Sequence, residues 1–151
     1  MIDVQLELAR EEDLPFVTRC AELAYEIYVQ RIGKPPAPMV ADFPAALSRD
    51  ELELICADGK HVGFLVSQIL EDHLFVENVA VHPDFQNRGI AKALFSYLER
   101  RAAQNELGAI ELYTNEKMTE NLGLYPRLGF VETERRSEAG FNRVYFRKQL
   151  P

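Results

Sequence analysis

The sequence predicts an α/β fold with a mixed central β-sheet of about seven strands and helices on both faces. Seven short segments alternate apolar with polar residues or form compact apolar runs, as strands do. Between some of them, apolar residues recur at intervals of three and four, as on one face of a helix. Of the 151 residues, 47% are hydrophobic and 27% charged, which is typical of a globular protein, and we expect a single domain over 1–151.

The elements are predicted in the order β-α-α-β-β-β-α-β-α-β-β. Asp13 is expected to cap the first helix, whose apolar spacing continues until Gly33. The proline-rich loop 34–38 is expected to have no regular structure. Tight turns at 58–59 and 71–72 indicate an antiparallel meander. The predicted strands cover 4–8, 51–57, 61–70, 73–82, 109–114, 130–137 and 141–150, and the later helices cover 43–48, 90–105 and 119–128.

Composition argues against several classes of protein. The net charge of −7, without basic clusters, argues against nucleic-acid binding and is compatible with an amine substrate. Apolar runs are too short for a membrane span, and the acidic start of the chain is unlike a secretory signal, so we expect a cytoplasmic protein. Cys20 and Cys56 are isolated, and His61, His73 and His82 lack metal-ligand spacing, so no metal site is expected.

The segment VENVAVHPDFQNRGIAKALF, beginning at Val76, joins a predicted strand to a predicted helix. The first turn of a helix offers unpaired backbone N–H groups and a positive dipole end, which suit a phosphate. Gly89 allows close backbone approach, and Ala91 keeps the turn free of bulk. An ordinary strand-to-helix turn has the same pattern, and the GxGxxG and Gly-Lys-Ser/Thr motifs are missing. Further donors in the segment are Gln86, Arg88 and Lys92.

The run from residue 79 to residue 95 resembles the acyl-CoA-binding core of the GNAT superfamily of N-acetyltransferases. Gln86, Gly89 and Ala91 match its signature, Arg/Gln-x-x-Gly-x-Gly/Ala. The strand AIELYTN and the segment MTENLGLYPRLGF fit the same family, as does the element order over 4–150. The resemblance implies a GNAT-type acyl-CoA N-acyltransferase fold with a splayed central pair of strands. It also implies that acetyl-CoA donates acetyl to a primary amine, by direct attack in a ternary complex.

The resemblance further implies where coenzyme A binds. In this family the strand that matches 75–81 carries a bulge, and its backbone groups pair with the pantetheine arm. The amides of 87–92 would cradle the pyrophosphate, and Asn121 matches a position that often bonds the pantetheine arm. The cofactor-binding residues expected are Val79, Ala80, Val81, Gln86, Asn87, Arg88, Gly89, Ile90, Ala91, Lys92 and Asn121.

Tyr125 matches the usual general acid of the family. Attack on the thioester expels a thiolate whose conjugate acid has a pKa of roughly 8.5, and a phenol of pKa ~10 can protonate it. The alternative is a half-buried tyrosine that packs beside Leu128 and Phe130. Pro126, directly after it, predicts a kink or an open turn, which affects how Tyr125 is presented.

Glu77 is the first candidate for the general base. Strand alternation places it on the same face as Val79, although a bulge would break that phase. Glu111 is the second candidate, and backbone carbonyls with water are the third. The sequence leaves the choice open.

The acceptor pocket is expected from the first helix and the loop after it. Tyr25 and Tyr28 are three residues apart, and Arg31 follows at the same interval. They form either an aromatic wall with an arginine for a substrate carboxylate or a packing face with a solvated arginine. Further substrate-binding candidates are Asn78, Thr114 and Asn115.

Three other functions remain open alongside acetyl transfer to a small amine. One is transfer of a longer acyl group, and another is acetylation of a peptide, a protein N-terminus or a lysine. The third is a non-catalytic acyl-CoA-binding or sensing module, against which Tyr125 argues because such a module needs no proton donor. The closing hairpin 130–150 could pair with a second copy to form a homodimer.

Overall fold

The computed structural model describes residues 2–151, among which no helix has the length and apolarity to cross a membrane. Short 3-10 turns lie at Glu11–Asp13, Ala37–Val40 and Pro83–Phe85. The strands are β1 Val4–Leu8, β2 Leu52–Ala57, β3 Lys60–Leu70, β4 His73–Val81, β5 Ala109–Asn115, β6 Val131–Glu138 and β7 Phe141–Gln149. The helices are α1 Leu14–Tyr25, α2 Tyr28–Ile32, α3 Phe43–Ser48, α4 Ile90–Gln104 and α5 Thr119–Arg127.

The strands form one mixed sheet in the order β1-β2-β3-β4-β5-β7-β6. Every neighbouring pair is antiparallel except β4 and β5, which are parallel. β4 and β5 are parallel because the connection between them contains α4, which returns the chain to the end of the sheet where β4 begins. The predicted α/β class and the seven-stranded mixed sheet are confirmed.

Different helices cover the two faces of the sheet. α1, α2 and α3 pack on one face, over a core that includes Leu54. α4 and α5 pack on the other, over a core that includes Leu65. The predicted apolar stripe of α4 is buried in this second core, which stabilises the helix more than its intrinsic propensity does. The stripe consists of Ile90, Leu94 and Leu98.

The first predicted helix begins after Asp13 and ends before Gly33, as expected, but it is divided into two parts. It is interrupted after Tyr25, and α2 begins only at Tyr28. Asp13 occupies the N-cap position of α1, as predicted, but its side chain makes no capping hydrogen bond. Its carboxylate instead accepts a hydrogen bond from the backbone N–H of Arg10, 2.8 Å away, inside a 3-10 turn. The loop expected to be irregular contains a 3-10 turn at Ala37–Val40, which the preset φ angles of its prolines favour.

The central strands β4 and β5 separate towards their carboxyl ends. Pairing is confined to residues 73–76 of β4 against 109–112 of β5. β4 nevertheless continues to Val81, and β5 continues to Asn115. The expected splay is therefore present, and it leaves one backbone edge of β4 without a partner strand.

A β-bulge lies at the start of this separated part of β4. Val66 of β3 pairs with Asn78, whereas the next residue, Ser67, pairs with Val76. Glu77 is therefore the extra residue of the bulge. The bulge changes the phase of the strand, so Val76 belongs to the core under α4 whereas Ala80 belongs to the core under α1.

Gly63 lies where the backbones of β3 and β4 approach each other too closely for a side chain. A Cβ at this position would overlap the carbonyl oxygen of Ala80 and lie 3.1 Å from the Cα of Val81. We expect Gly63→Ala to lower the free energy of unfolding by about 1–3 kcal/mol, measured by urea denaturation. Gly108→Ala is the matched control, because its Cβ would have its nearest neighbour at 3.8 Å. Equal losses in the two variants would contradict the steric explanation.

Candidate active site

A cleft opens where β4 and β5 separate. Tyr25 reaches it from the core under α1, and Tyr125 reaches it from the core under α4. The cleft therefore passes through the sheet and connects its two faces. The 3-10 segment around Ala37 borders it as well. The strand residues that line it are Glu77, Asn78 and Val79 of β4 and Tyr113, Thr114 and Asn115 of β5.

Tyr125 is buried in a cage of aromatic rings. Its ring lies 5.9 Å from that of Phe95, 5.8 Å from Phe130 and 5.6 Å from Phe146, between centroids. Burial raises the pKa of Tyr125 well above its ordinary value, and Tyr28 contributes in the same direction. Its hydroxyl makes no hydrogen bond within residues 2–151. The cleft is thus lined by a neutral phenol whose proton is not engaged by the protein.

Backbone hydrogen bonds at the carboxyl end of α5 stabilise the turn that contains Tyr125. The helix runs through Pro126 to Arg127, so the predicted kink does not end it. Proline removes one intrahelical donor. The carbonyl of Tyr125 accepts hydrogen bonds from the N–H groups of Leu128 and Phe130, both at 3.0 Å. These bonds fix the backbone of Tyr125 against the strand that follows.

Two carbonyl groups on the unpaired edge of β4 accept hydrogen bonds from side chains. The hydroxyl of Tyr25 donates to the carbonyl oxygen of Val79 at 2.5 Å. The side-chain amide of Gln86 donates to the carbonyl oxygen of Val81 at 2.9 Å. Burial, followed by the proximity of Tyr125, raises the pKa of Tyr25 well above its ordinary value, so Tyr25 remains a donor. The edge is open to further donors, because a carbonyl oxygen has two lone pairs.

Glu77 lines the cleft, and its carboxylate accepts a hydrogen bond from the neighbouring strand β3. Its Oε1 accepts a hydrogen bond from the side-chain amide of Gln68 at 3.2 Å. The same amide nitrogen donates to Oε1 of Glu51, also at 3.2 Å. The pKa of Tyr113 is raised, mainly by desolvation. The positive charge of Arg143 lowers this pKa, and the negative charge of Glu77 raises it. Glu77 is therefore oriented by β3 and faces Tyr113.

Glu111 lies outside the cleft. Its carboxylate pairs with Arg147 of β7 and lies 3.7 Å from Nε2 of His73. It sits in the part of β5 that still pairs with β4, opposite Phe75. Of the two candidate bases, the structure brings only Glu77 to the cleft.

Asn78 presents an unpaired acceptor to the cleft. The residue is only 5% exposed, and its Oδ1 is the buried side-chain atom without a hydrogen-bond partner in residues 2–151. By contrast, Asn121 donates to Oγ1 of Thr114 at 3.1 Å, and Oδ1 of Asn115 accepts from the N–H of Lys117 at 2.9 Å. A buried amide oxygen without a partner is unfavourable, so a donor group from a bound molecule or a water would stabilise it.

Tyr28 and Arg31 are not among the residues that line the cleft. Arg31 forms two hydrogen bonds with the carboxylate of Glu120, at 2.7 and 2.9 Å, and this pairing lowers the pKa of Glu120 to about 2. The hydroxyl of the buried Tyr28 lies 3.5 Å from the same carboxylate. Of the two interpretations that the sequence left open, these contacts favour a packing face over an arginine for a substrate carboxylate, because Arg31 ties α2 to α5 through Glu120.

Arg143 lines the cleft although it was not among the site residues expected from the sequence. Its guanidinium lies over the ring of Tyr113, 4.3 Å from the centroid, and lines the cleft together with Phe141. Strand alternation in FNRVYF would have placed Phe141 and Arg143 on one face. The missing information was that β7 pairs with β5, which places Arg143 opposite Asn115.

The loop before α4 has the backbone shape of an anion site. Asn87 and Gly89 have φ angles of +62° and +81°, in the left-handed region. The first helical hydrogen bond joins the N–H of Ala93 to the carbonyl of Gly89, so the N–H groups of 90–92 have no helical partner. No atom lies within 4 Å of a Cβ built on Gly89, so conformation rather than crowding requires glycine here.

A second group of polar side chains lies away from the cleft. Possible ligand atoms of Glu7, Cys56 and His61 all lie within 4.8 Å of one another. Nε2 of His61 is 2.7 Å from Oε1 of Glu7, a contact between β3 and β1 that the spacing of residues in the sequence does not indicate. The three residues lie on β1, β2 and β3 and do not line the cleft.

Residues 17–130 match the family model described as the Acetyltransferase (GNAT) family. Over 114 residues the chain is 30% identical to aminoglycoside N(6')-acetyltransferase type 1 of Salmonella typhimurium, a match that covers 68% of this chain and 79% of that protein.

Two solved structures are similar in fold. Ribosomal-protein-S18-alanine N-acetyltransferase from Escherichia coli superposes with a TM-score of 0.75 at 19% identity, covering 97% of this chain and 94% of the other. PaiA N-acetyltransferase from Thermoplasma acidophilum, in complex with coenzyme A, superposes with a TM-score of 0.74 at 13% identity, covering 97% and 99%. At these identities the likeness concerns the fold.

Proposed function

Since the chain belongs to the GNAT family and is an N-acetyltransferase, we propose that it transfers acetyl from acetyl-CoA to a primary amine by direct attack in a ternary complex. The observation that carries this proposal is the cleft between β4 and β5. It holds a protonated phenol, Tyr125, and a carboxylate, Glu77, beside an unpaired strand edge. A proton donor, a proton acceptor and a strand-like ligand site are what this reaction needs.

Coenzyme A would lie along the open edge of β4. The amide N–H groups of its pantetheine arm can donate to the carbonyls of Val79 and Val81, sharing them with Tyr25 and Gln86 or displacing these side chains. The pyrophosphate would sit over the N–H groups of 87–92. The coenzyme A bound in the structural relative PaiA supports this choice of donor.

The proposed reaction forms one C–N bond and breaks one C–S bond. The neutral amine attacks the thioester carbonyl carbon, and the resulting intermediate expels the thiolate of coenzyme A. Glu77 first accepts a proton from the ammonium form of the acceptor, directly or through a water molecule, and later returns it to solvent, so that the amine attacks in its neutral form. Tyr125 donates its proton to the departing sulfur, and it is reprotonated through water by the surplus proton on the nitrogen of the intermediate. The products are the N-acetyl amide and coenzyme A with a free thiol.

Neither cysteine suits a covalent intermediate. Burial raises the pKa of Cys20 to about 12, and desolvation also raises the pKa of Cys56. A protonated thiol is a poor nucleophile. Of the residues that line the cleft within 2–151, none is a cysteine, which favours direct transfer.

The proposal is tested by incubating the purified chain with acetyl-CoA and a panel of primary amines, amino acids and peptides. Acetylated product is identified by mass spectrometry, and free thiol is measured in parallel. The Salmonella typhimurium and Escherichia coli relatives make aminoglycosides and N-terminal alanine peptides natural members of the panel. Thermal stabilisation by coenzyme A without acetylation of any amine would instead support a non-catalytic acyl-CoA-binding module.

Ala91→Glu tests the phosphate loop. It places a carboxylate in the first turn of α4, where it would repel the pyrophosphate, so we expect the KM for acetyl-CoA to rise about tenfold or more. The melting temperature should not fall, because an acidic side chain in this turn is favourable to the helix dipole. Ser96→Glu is the matched control, with the same charge on an exposed site further along α4. An unchanged KM in Ala91→Glu, or an equal rise in Ser96→Glu, would contradict the assignment.

A further inference from the structure

Resting on the proposed function, we propose that the acceptor carries a carboxylate as well as its amine, and that Arg143 binds this carboxylate in the cleft. The substrate class is then an amino acid, an amino carboxylate or a short peptide with a nearby carboxylate, rather than a polycationic amine. Three features support this proposal: the surroundings of Arg143, the opposite charge of Glu77 and the unpaired oxygen of Asn78.

The side chain of Arg143 is largely covered by the protein but has no close carboxylate partner. Its side chain is only 16% exposed. Among residues 2–151 its one carboxylate neighbour within 4 Å is Glu138, at 3.8 Å, which is beyond hydrogen-bonding distance. That carboxylate also accepts from the hydroxyl of Tyr145 and lies 3.4 Å from the guanidinium of Arg136. Apart from its contact with the hydroxyl of Tyr145, Arg143 therefore keeps most of its N–H donors for an anion.

The geometry of Arg143 suits a carboxylate ligand. The Cζ atom of its guanidinium lies over the ring of Tyr113, 4.3 Å from the centroid, which is within the range of a cation–π contact. A planar guanidinium binds a carboxylate through two parallel N–H···O bonds, and such bonds are stronger in a site that excludes water. Arg31 shows this pairing within the protein, because both of its terminal nitrogens bond the carboxylate of Glu120.

The cleft carries one fixed charge of each sign. Glu77 comes from β4 and Arg143 from β7, and both charges act on Tyr113, in opposite directions. An acceptor with an ammonium group and a carboxylate matches this pair, whereas further positive groups of a polycation would be repelled by Arg143. The free Oδ1 of Asn78 adds an acceptor for an N–H of the amine.

The test compares matched acceptors that differ only in the carboxylate, such as β-alanine with β-alaninamide and glycylglycine with glycylglycinamide. For the wild-type protein we expect kcat/KM to be roughly tenfold or more higher for the carboxylate of each pair, because two charge-assisted bonds are gained. In Arg143→Gln this ratio should fall towards one. In Arg143→Lys it should be intermediate, since lysine keeps the charge but loses the planar fork.

Arg136→Gln is the control for loss of a charge from the hairpin. Arg136 pairs with Arg143 across β6 and β7, and its guanidinium lies over a tyrosine at a similar distance, 4.2 Å. It does not line the cleft, so the acceptor ratio should stay at the wild-type value. Urea denaturation of both glutamine variants identifies any loss of folding.

Two results would overturn the inference and leave the proposed function in place. One is acetylation of carboxylates and carboxamides with equal efficiency, and the other is an unchanged ratio in a folded Arg143→Gln. A higher kcat/KM for aminoglycosides than for any amino carboxylate also counts against it. If no amine of any kind is acetylated, the proposed function fails, and the inference fails with it.

Discussion

Tyr125→Phe is expected to reduce kcat by about 10²- to 10⁴-fold, the usual contribution of a general acid, while the KM for acetyl-CoA changes little. The substitution removes only the hydroxyl and keeps the ring packed against Phe95, Phe130 and Phe146. The departing thiolate then has no positioned proton donor. Steady-state release of free thiol, measured over a range of acetyl-CoA concentrations, separates kcat from KM.

The structure also predicts that this variant folds normally. The hydroxyl of Tyr125 has no hydrogen-bond partner within residues 2–151, so its removal breaks no bond in the folded protein. Tyr25→Phe is the matched control, because that hydroxyl does bond the carbonyl of Val79. Its loss should lower the free energy of unfolding by about 1 kcal/mol, with a smaller effect on kcat. Undiminished turnover in Tyr125→Phe would remove Tyr125 from the mechanism.

The raised pKa of Tyr125 fixes the direction of its pH dependence. Burial keeps the phenol protonated beyond its usual value of about 10, so loss of this acid should not reduce turnover between pH 7 and about 10. A pKa raised in the folded state contributes stability that is present below the unfolded pKa and is lost as pH rises through the folded one. Tyr25 shares this direction. Above pH 10, the free energy of unfolding measured by urea denaturation should therefore decline less steeply with pH in Tyr125→Phe than in the wild-type protein.

Local signals in the sequence predicted most of the fold. The limits of α3 and β1 and the start of α4 agree with the prediction, because caps, glycines and apolar spacing are properties of neighbouring residues. The turn between β4 and α4 was predicted on the same basis. These features need no knowledge of which strands meet.

Contacts between distant residues were not predictable in this way. Arg31 is engaged by Glu120, which is 89 positions further along the chain. Arg143 reaches the cleft only because β7 inserts between β5 and β6. An amphipathic strand pattern states which residues share a face and leaves the partner strand undetermined. The sequence therefore offered Arg31 as one candidate for binding a substrate carboxylate and did not indicate that Arg143 lines the cleft.

The bulge in β4 also limits how well the sequence predicts which face of the strand each residue occupies. Simple alternation relates Glu77 to Val79, but the extra residue changes the phase between Val76 and Asn78. Both Glu77 and Asn78 consequently line the cleft, although adjacent residues of a regular strand point to opposite faces. A bulge has no reliable local signature, so its position came only from the resemblance and from the structure.

Glu77→Gln is the second change for which we expect a large effect, a fall in kcat/KM for the amine of about 10²-fold or more near neutral pH. The substitution is nearly isosteric and removes only the capacity to accept the proton of the amine. The position should be retained, because the carbonyl oxygen of glutamine can still accept the hydrogen bond from Gln68. The KM for acetyl-CoA should therefore remain close to that of the wild-type protein.

The pH dependence identifies the role of Glu77. A base is needed because an alkyl ammonium, with a pKa of about 10.4 for a lysine-like amine, is almost fully protonated at neutral pH. As pH rises towards that value, more of the amine is already neutral, so the deficit of Glu77→Gln should narrow. A residue that only positioned the acceptor would give a deficit that does not change with pH. Initial rates from pH 7 to 10, with one amine of known pKa, distinguish the two.

Glu111→Gln is the matched control, because it is the same chemical change on the neighbouring strand, outside the cleft. It removes the ion pair with Arg147 and should lower stability while leaving turnover intact. If kcat/KM for the amine fell in Glu111→Gln but not in Glu77→Gln, the role of general base would be assigned to Glu111. Full activity in both variants would leave water and backbone carbonyls as the acceptors of the proton. The bulge would then serve only to open the edge of β4 for coenzyme A, since its extra carboxylate would have no part in the proton transfer.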